Sequence, residues 1–231
     1  MKIGIVGAGG LGAALARRLA EIGHDVSLAN SRGPASLIAL AAEIGVTPVS
    51  ATEAADAADV VIVSIPTKAV PDLPGGLLAN LRDGAAVVDT GNYHPDLRDG
   101  RIDAIDGGML DSEWVAHQLG RPVIKAFNSI FAGSLLEKGR PVGVAGRVAL
   151  PVAGDELDAR ATVLGLVDDL GFDPVDGGGM GDSWRQQPGT PAYCRDLGAD
   201  ALRGALAEAD RDRIAEYRKA EETRISQSRE L

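Results

Sequence analysis

The stretch "KIGIVGAGGLG", residues 2–12, constrains the fold more than any other part of the chain. A β-branched apolar run stops at glycines. The glycines open a segment whose apolar positions Leu11, Leu15, Leu19 and Ile22 recur at helical spacing. Gly7, Gly9 and Gly12 stand in the G-x-G-x-x-G spacing, and a strand before it with a helix after it is the context that spacing requires. Gly7 permits a tight turn, Gly9 lets backbone approach a pyrophosphate, and Gly12 lets helix and strand pack closely. The helix N-terminus adds unpartnered N–H groups and the positive end of a dipole. Gly10 and Leu11 lie in the same loop, so Gly7, Gly9, Gly10, Leu11 and Gly12 are candidate cofactor-binding residues.

Strand and helix patterns then alternate. "HDVSLAN", "VTPVS", "DVVIVSIP", "AAVVDT", "RPVIKAFN", "PVGVAG" and "GFDPVDGG" read as strands. "PASLIALAAEIG" reads as a helix, with Pro34 in its first turn and Gly45 at its end. "DSEWVAHQLG" reads as a helix capped by Ser112, with Trp114 and His117 on one packing face. Residues 155–170 predict a further helix. From Leu197 to Ser226 one long helix is predicted, striped by Leu202, Leu206, Ile214 and Tyr217. Repeated β-α-β units predict an α/β Rossmann-type, doubly wound, mostly parallel sheet with an extended C-terminal helix. The 231 residues suit one domain, with a nucleotide-binding core over about 1–125 and an acceptor-side and helical part over about 126–231. The loops at 91–110 and 177–194 are long enough to be functional.

The "SLANSRGP" stretch, residues 27–34, falls where such folds usually place an Asp or Glu on the adenosine ribose. Here Asn30, Ser31 and Arg32 follow the second strand instead. A carboxylate beside a 2′-phosphate would be a like charge at close range, whereas a guanidinium pairs with it through a planar fork. The triplet therefore predicts NADP(H) rather than NAD.

Composition bounds the partners. A net charge of −10 argues against nucleic acid and anionic membranes. No apolar run approaches the ~20 residues of a membrane-spanning helix. The N-terminus reads as no secretion leader, so a cytoplasmic location is expected. The single cysteine, Cys194, fits a reducing compartment and reads as a packing residue. His24, His94 and His117 are scattered, so no metal site is expected.

Beyond the glycine loop, "VVIVSIP", "VVDTGN", "VIKAFNSI" and "GFDPVDGG" extend a resemblance over roughly residues 1–180. The chain resembles the NADP oxidoreductases that use the deazaflavin coenzyme F-420, a domain type also found in the cytoplasmic part of six-transmembrane metalloreductases. The resemblance implies a single-domain reductase that assembles as a homodimer. It implies that Ser31 and Arg32 hold the 2′-phosphate. It further implies that Ser64, Ile65 and Pro66, and Thr90, Gly91 and Asn92, line the cofactor, and that Ala126, Phe127 and Asn128 lie near the nicotinamide. The continuation "GMGDSWRQQPGTPAYCRDLGAD" and the polar loop "GNYHPDLRDGRIDAIDGG" depart from that family's pattern on the acceptor side.

Three functions follow as expectations. The first is hydride transfer between NADPH and a planar deazaflavin or flavin acting as substrate, which needs positioning more than acid–base groups. The second is reduction of a small carbonyl or imine, with Tyr93 or His94 as the catalytic proton donor. The third is an NADP-binding sensor or partner protein without turnover. Lys125, inside the "VIKAFN" strand, is expected to pair with an acid or reach the strand end. "DSWRQQPGTPAYC" suits either a planar polar ligand or a subunit interface. The long C-terminal helix is expected to cap the domain or to dimerise.

Overall fold

A computed structural model describes residues 1–229. The chain starts with β1 (Lys2–Val6), α1 (Gly10–Glu21) and β2 (Asp25–Ala29). A 3-10 turn at Pro34–Leu37 leads into α2 (Ile38–Ile44), then β3 (Thr47–Pro48), α3 (Ala51–Ala55) and β4 (Val60–Val63). After a 3-10 segment at Thr67–Asp72 come β5 (Ala86–Asp89), a π-turn at Pro95–Asp99, α4 (Asp103–Asp106), α5 (Asp111–Leu119) and β6 (Ile124–Lys125). The rest is α6 (Ala132–Glu137), β7 (Ala149–Val152), α7 (Leu157–Asp169), β8 (Asp173–Asp176), a 3-10 segment at Met180–Gln186, α8 (Ala199–Glu208) and α9 (Ile214–Arg229).

The six strands β1–β6 form one parallel sheet in the order β3-β2-β1-β4-β5-β6. That is the doubly wound Rossmann order, and it leaves a crevice beyond the carboxyl ends of β1 and β4, where the winding reverses. Apolar residues run uninterrupted along the central strands because both faces are covered. On one face Ile3, Ile5, Val60, Ile62 and Val88 pack with Leu15 and Leu19 of α1 and with Val163, Leu166 and Val167 of α7. On the other, Val6, Val61, Val63 and Val87 pack with Ala54 and Ala55 of α3 and with Trp114 and Val115 of α5.

β7 and β8 form a separate parallel pair. It meets the main sheet through one antiparallel bridge, Lys125 with Ala153. The next hydrogen-bonded pair of such a ladder would set Phe127 against Pro151. Pro151 has no N–H to give, and Phe127 leaves the strand with φ of +60°, so the contact ends there.

Three expected elements differ. "PVGVAG", residues 141–146, is a run of exposed turns rather than a strand. Gly143 and Gly146 adopt φ of +81° and +76°, and Val142 and Val144 face solvent. The strand is "ALPV" at 149–152, whose internal proline concealed it. The long C-terminal helix is two helices. α8 ends where Ala209 turns extended, and the Asp210 carboxylate then accepts from Asp212 N–H at 3.0 Å, starting the next turn. Leu197 precedes both helices. Ser112 does not cap α5, which Leu110 precedes with Glu113 accepting its N–H at 3.2 Å. Trp114 is buried there, but His117 is exposed.

Gly7 and Gly12 make the turn after β1 possible. A Cβ at Gly12 would lie 1.9 Å from the Gly7 carbonyl oxygen, and one at Gly7, where φ is +120°, would lie 2.1 Å from Ser64 O. Gly9 differs, because a Cβ there would meet nothing within 4 Å. Gly12→Ala must push α1 off β1. Overpacking of that kind costs about 1–3 kcal/mol. At about 2–4 °C per kcal/mol for a chain of this size, scanning calorimetry should show Tm lower by roughly 2–12 °C. Gly9→Ala should leave Tm unchanged.

Candidate functional site

The carboxyl ends of β1, β4, β5 and β6 border a cleft of about 430 Å³. That lies in the lower part of the range of roughly 300–1,000 Å³ that small-molecule sites span. One wall is the glycine loop (Gly9, Gly10, Leu11), the floor is Ser64-Ile65-Pro66 and Thr90-Gly91-Asn92, and the far wall carries His94, Arg98, Asn128, Phe131 and Tyr193. Most of the sequence-based cofactor candidates thus meet in one place. Gly7 and Gly12 shape the loop from beneath. Asn30, Ser31 and Arg32 lie outside the cleft, past the end of β2.

The residues present fit a dinucleotide. The open space at Gly9 and the first N–H groups of the twelve-residue α1 form a cradle for a pyrophosphate. At the end of β2, the Asn30 carboxamide accepts from Arg32 N–H at 3.0 Å and donates to Ser36 Oγ at 2.9 Å. This shapes the turn and leaves the Arg32 side chain exposed, without an acidic partner among the described residues.

The floor is held by a buried ion pair. Lys125 Nζ lies 2.9 Å from Asp89 Oδ2 and also donates to Gly91 O. Ser112 Oγ donates to the same Asp89 oxygen at 2.6 Å, and Gly91 N–H donates to Oδ1 at 2.7 Å. Lys125 therefore pairs with an acid, and what it fixes is the Thr90-Gly91-Asn92 turn. The turn continues into an amide network. Asn128 Nδ2 donates to Asn92 Oδ1 at 3.1 Å and to Gln186 O at 2.7 Å, and Gln186 Nε2 returns a bond to Asn128 Oδ1 at 3.1 Å. Asn92 Nδ2 donates to Asn128 O at 2.9 Å and reaches Tyr193 Oη at 3.3 Å.

Tyr93 does not reach the cleft. Its ring lies in the core under the Arg218 guanidinium, 4.7 Å away, and its hydroxyl donates to Asp106 at 3.2 Å and accepts from Ile102 N–H at 2.8 Å. Burial raises that phenol above its ordinary pKa. Ala126 and Phe127 are also core residues, so of that triplet only Asn128 faces the cleft. Tyr93, Ala126 and Phe127 all lie past the ends of β5 and β6, where the chain has left the strand pattern. Phe127 turns its ring inward, at a left-handed φ of +60° that costs of order 1–3 kcal/mol.

His94 does line the cleft. Burial, with the Arg98 guanidinium adding to it, pushes its imidazole down from 6.5 to about 4. It is neutral at physiological pH, and its Nδ1 is buried without a partner among the described residues. The residues missed by sequence reasoning are Arg98 and Phe131, each in a loop whose path the pattern does not fix, and Tyr193, seen only as part of an aromatic-polar stretch. Burial also pushes the Tyr193 phenol well above its ordinary value. The Cys194 thiol rises to about 12, chiefly by burial, so it stays protonated and packs rather than attacks.

Fold and cleft together define a class: doubly wound proteins of the Rossmann type, with a cleft at the carboxyl ends of the strands. The sequence model of the family "NADP oxidoreductase coenzyme F420-dependent" matches residues 2–93, the nucleotide half. The hypothetical protein SMa0349 from Sinorhizobium meliloti is 34% identical, over 87% of this chain and 96% of that one, with a TM-score of 0.73. The chain belongs to the same family as that protein. The Escherichia coli (strain K12) protein YjhV is 50% identical over 62 residues, 27% of this chain and 45% of YjhV, so the match spans less than half of that relative. The fold is shared more widely. An imine reductase from Myxococcus stipitatus in complex with NADP+ superposes with a TM-score of 0.55 at 20% identity, over 90% of this chain and 60% of that one.

Two outcomes test this site. Lys125→Met leaves Asp89 buried without its cation, a loss of about 3–5 kcal/mol by urea unfolding. Lys125→Met with Asp89→Asn should recover part of it. Separately, His94 titrates near 6.5 when unfolded and near 4 when folded, so between those values the unfolded chain binds the extra proton. The stability that neutral His94 contributes is complete above the upper value and lost as pH falls through the lower, roughly 3 kcal/mol in all. Urea midpoints should drop across that window, and should drop less in His94→Gln.

Proposed function

We propose that this protein is an NADP(H)-dependent oxidoreductase that reduces a small carbonyl or imine compound. One observation carries the reading: a glycine loop with open space at Gly9 and a buried phenol, Tyr193, line one cleft. Bound NADPH would supply the hydride. Gly9, Gly10 and Leu11 would hold its pyrophosphate, and Ser31 and Arg32 its 2′-phosphate. Asn92 and Asn128 would orient the carboxamide side of the ring and hold Tyr193 in place.

The proton donor in this reading is Tyr193 rather than Tyr93. As the substrate carbon accepts a hydride, its oxygen or nitrogen takes the Tyr193 hydroxyl proton. A neutral phenol is acidic enough to give a proton to an alkoxide. After product leaves, the phenolate would regain its proton from solvent water; His94, neutral and with a ring nitrogen unpartnered among the described residues, lines the same cleft. Phe131 and Ile130 would give the acceptor an apolar seat and exclude water.

A second reading, hydride exchange with a deazaflavin or flavin, is favoured by the family match over residues 2–93. That match ends before Arg98, Asn128 and Tyr193. A planar acceptor would need no proton from Tyr193, and the two readings separate on that point.

NADPH consumption should be followed with ketones and imines, and separately with deazaflavin and flavin. Tyr193→Phe should lower kcat for a carbonyl or imine by about 10²–10⁴-fold with NADPH affinity unchanged, the usual size of a general-acid contribution. Activity with deazaflavin alone, indifferent to Tyr193, would favour the second reading. NADPH binding without turnover of any acceptor would favour a sensor. Arg32→Ala removes a charge-assisted bond and should weaken NADPH by roughly 10–150-fold while leaving NADH unchanged. Equal weakening of both would contradict the phosphate assignment.

A further inference from the structure

Among the described residues, Arg98 is the one charged side chain that lines the cleft, and no carboxylate lines it. In a chain of net charge −10 that exception needs a reason. A surface guanidinium ordinarily swings freely. Here three bonds immobilise it. Nε donates to Asp99 Oδ1 at 3.1 Å, and Nη2 donates to Asp99 Oδ2 at 3.0 Å and to the Asn92 carbonyl. The Asp99 side chain is fully buried and is itself fixed by His94 N–H at 2.8 Å. Nη1 makes no hydrogen bond among the described residues, although the side chain as a whole is 39% exposed. The result is a clamped guanidinium, on a residue that lines the cleft, whose remaining Nη1 can give a charge-assisted bond to an anion.

The coenzyme has its own phosphate sites. Its pyrophosphate belongs at Gly9–Leu11 at the end of β1, and its 2′-phosphate at the end of β2. Arg98 hangs on the turn after β5, two strands from β1 across β4, which is about 10 Å at the usual strand spacing. It is bonded there to Asn92, whose amide also reaches Tyr193.

We propose that Arg98 is the specificity-determining residue for a substrate that carries a carboxylate next to its reducible carbon, a 2-oxo acid or the corresponding imino acid. This rests on the carbonyl- or imine-reductase reading above and names its substrate class. Arg98 would pin the carboxylate through Nη1 and so turn the adjacent C=O or C=N toward Tyr193.

The test is a binding measurement that needs no turnover. Oxamate, an unreactive mimic of a 2-oxo acid, is titrated into the protein saturated with NADPH and followed by nicotinamide fluorescence and calorimetry. Methyl oxamate serves as its uncharged twin. Oxamate should bind about 10–150-fold more tightly than the ester, as expected for a charge-assisted bond. Arg98→Met should abolish that preference with NADPH affinity unchanged, and Arg98→Lys should keep only part of it. Should Arg98→Met fail to fold, the wild-type comparison of acid with ester decides alone. Equal binding of acid and ester by the wild type overturns the proposal, and so does undiminished oxamate binding by Arg98→Met. Loss of NADPH affinity in step would assign Arg98 to the coenzyme and overturn it as well. A wild type that binds no NADPH before oxamate is added fails at the coenzyme reading itself, and is distinguishable for that reason.

Discussion

The buried pair of Asp89 and Lys125 is the interaction on which the acceptor side depends. Two charges withdrawn from water at the ends of neighbouring strands are tolerable only if their remaining bonding capacity is used. Ser112, Gly91 N–H and Gly91 O use it. The consequence is geometric. The turn after β5 has one position, so Asn92 has one position, and through Asn92 the amides of Asn128 and Gln186 and the hydroxyl of Tyr193 are aligned. A hydrophobic pair in place of Asp89 and Lys125 would stabilise the strands as well, but it would not hold the turn.

Charge is distributed to match. The chain is acidic overall, yet two of the three places that would meet anions carry unopposed or clamped guanidinium groups, Arg32 past β2 and Arg98 past β5. Among the described residues, the rest of the cleft lining carries no charged side chain. His94 is held neutral by burial and by the cation beside it, and Tyr193 is held protonated by burial. A site of this kind favours neutral proton donors and fixed dipoles over mobile charge, which suits a reaction in which charge develops on one oxygen or nitrogen.

Much of this was legible in the sequence, for identifiable reasons. Gly7, Gly9 and Gly12 obey a spacing with a steric cause, and the Cβ positions at Gly7 and Gly12 show that cause directly. The apolar runs of β1, β4 and β5 state that both faces are covered. The polar pairings were less legible. Lys125 announced a partner without naming Asp89 or Ser112, because side chains that meet across β5, α5 and β6 leave no local periodicity. Tyr93 was preferred to Tyr193 because position after a strand is visible in sequence and side-chain direction in a loop is not. Pro151 concealed β7, since a proline counts against a strand unless its N–H is not needed. The break at Asp210 carried a capping signal that the stripe of Leu202, Leu206 and Ile214 outweighed.

The most direct measurement is a crystal structure of the protein with NADPH. The account expects the pyrophosphate over Gly9–Leu11, the 2′-phosphate on Ser31 and Arg32, and the nicotinamide beside Asn92 and Asn128 with its reactive carbon facing Tyr193. A coenzyme bound elsewhere, or seated with its ring turned away from Tyr193, would contradict it.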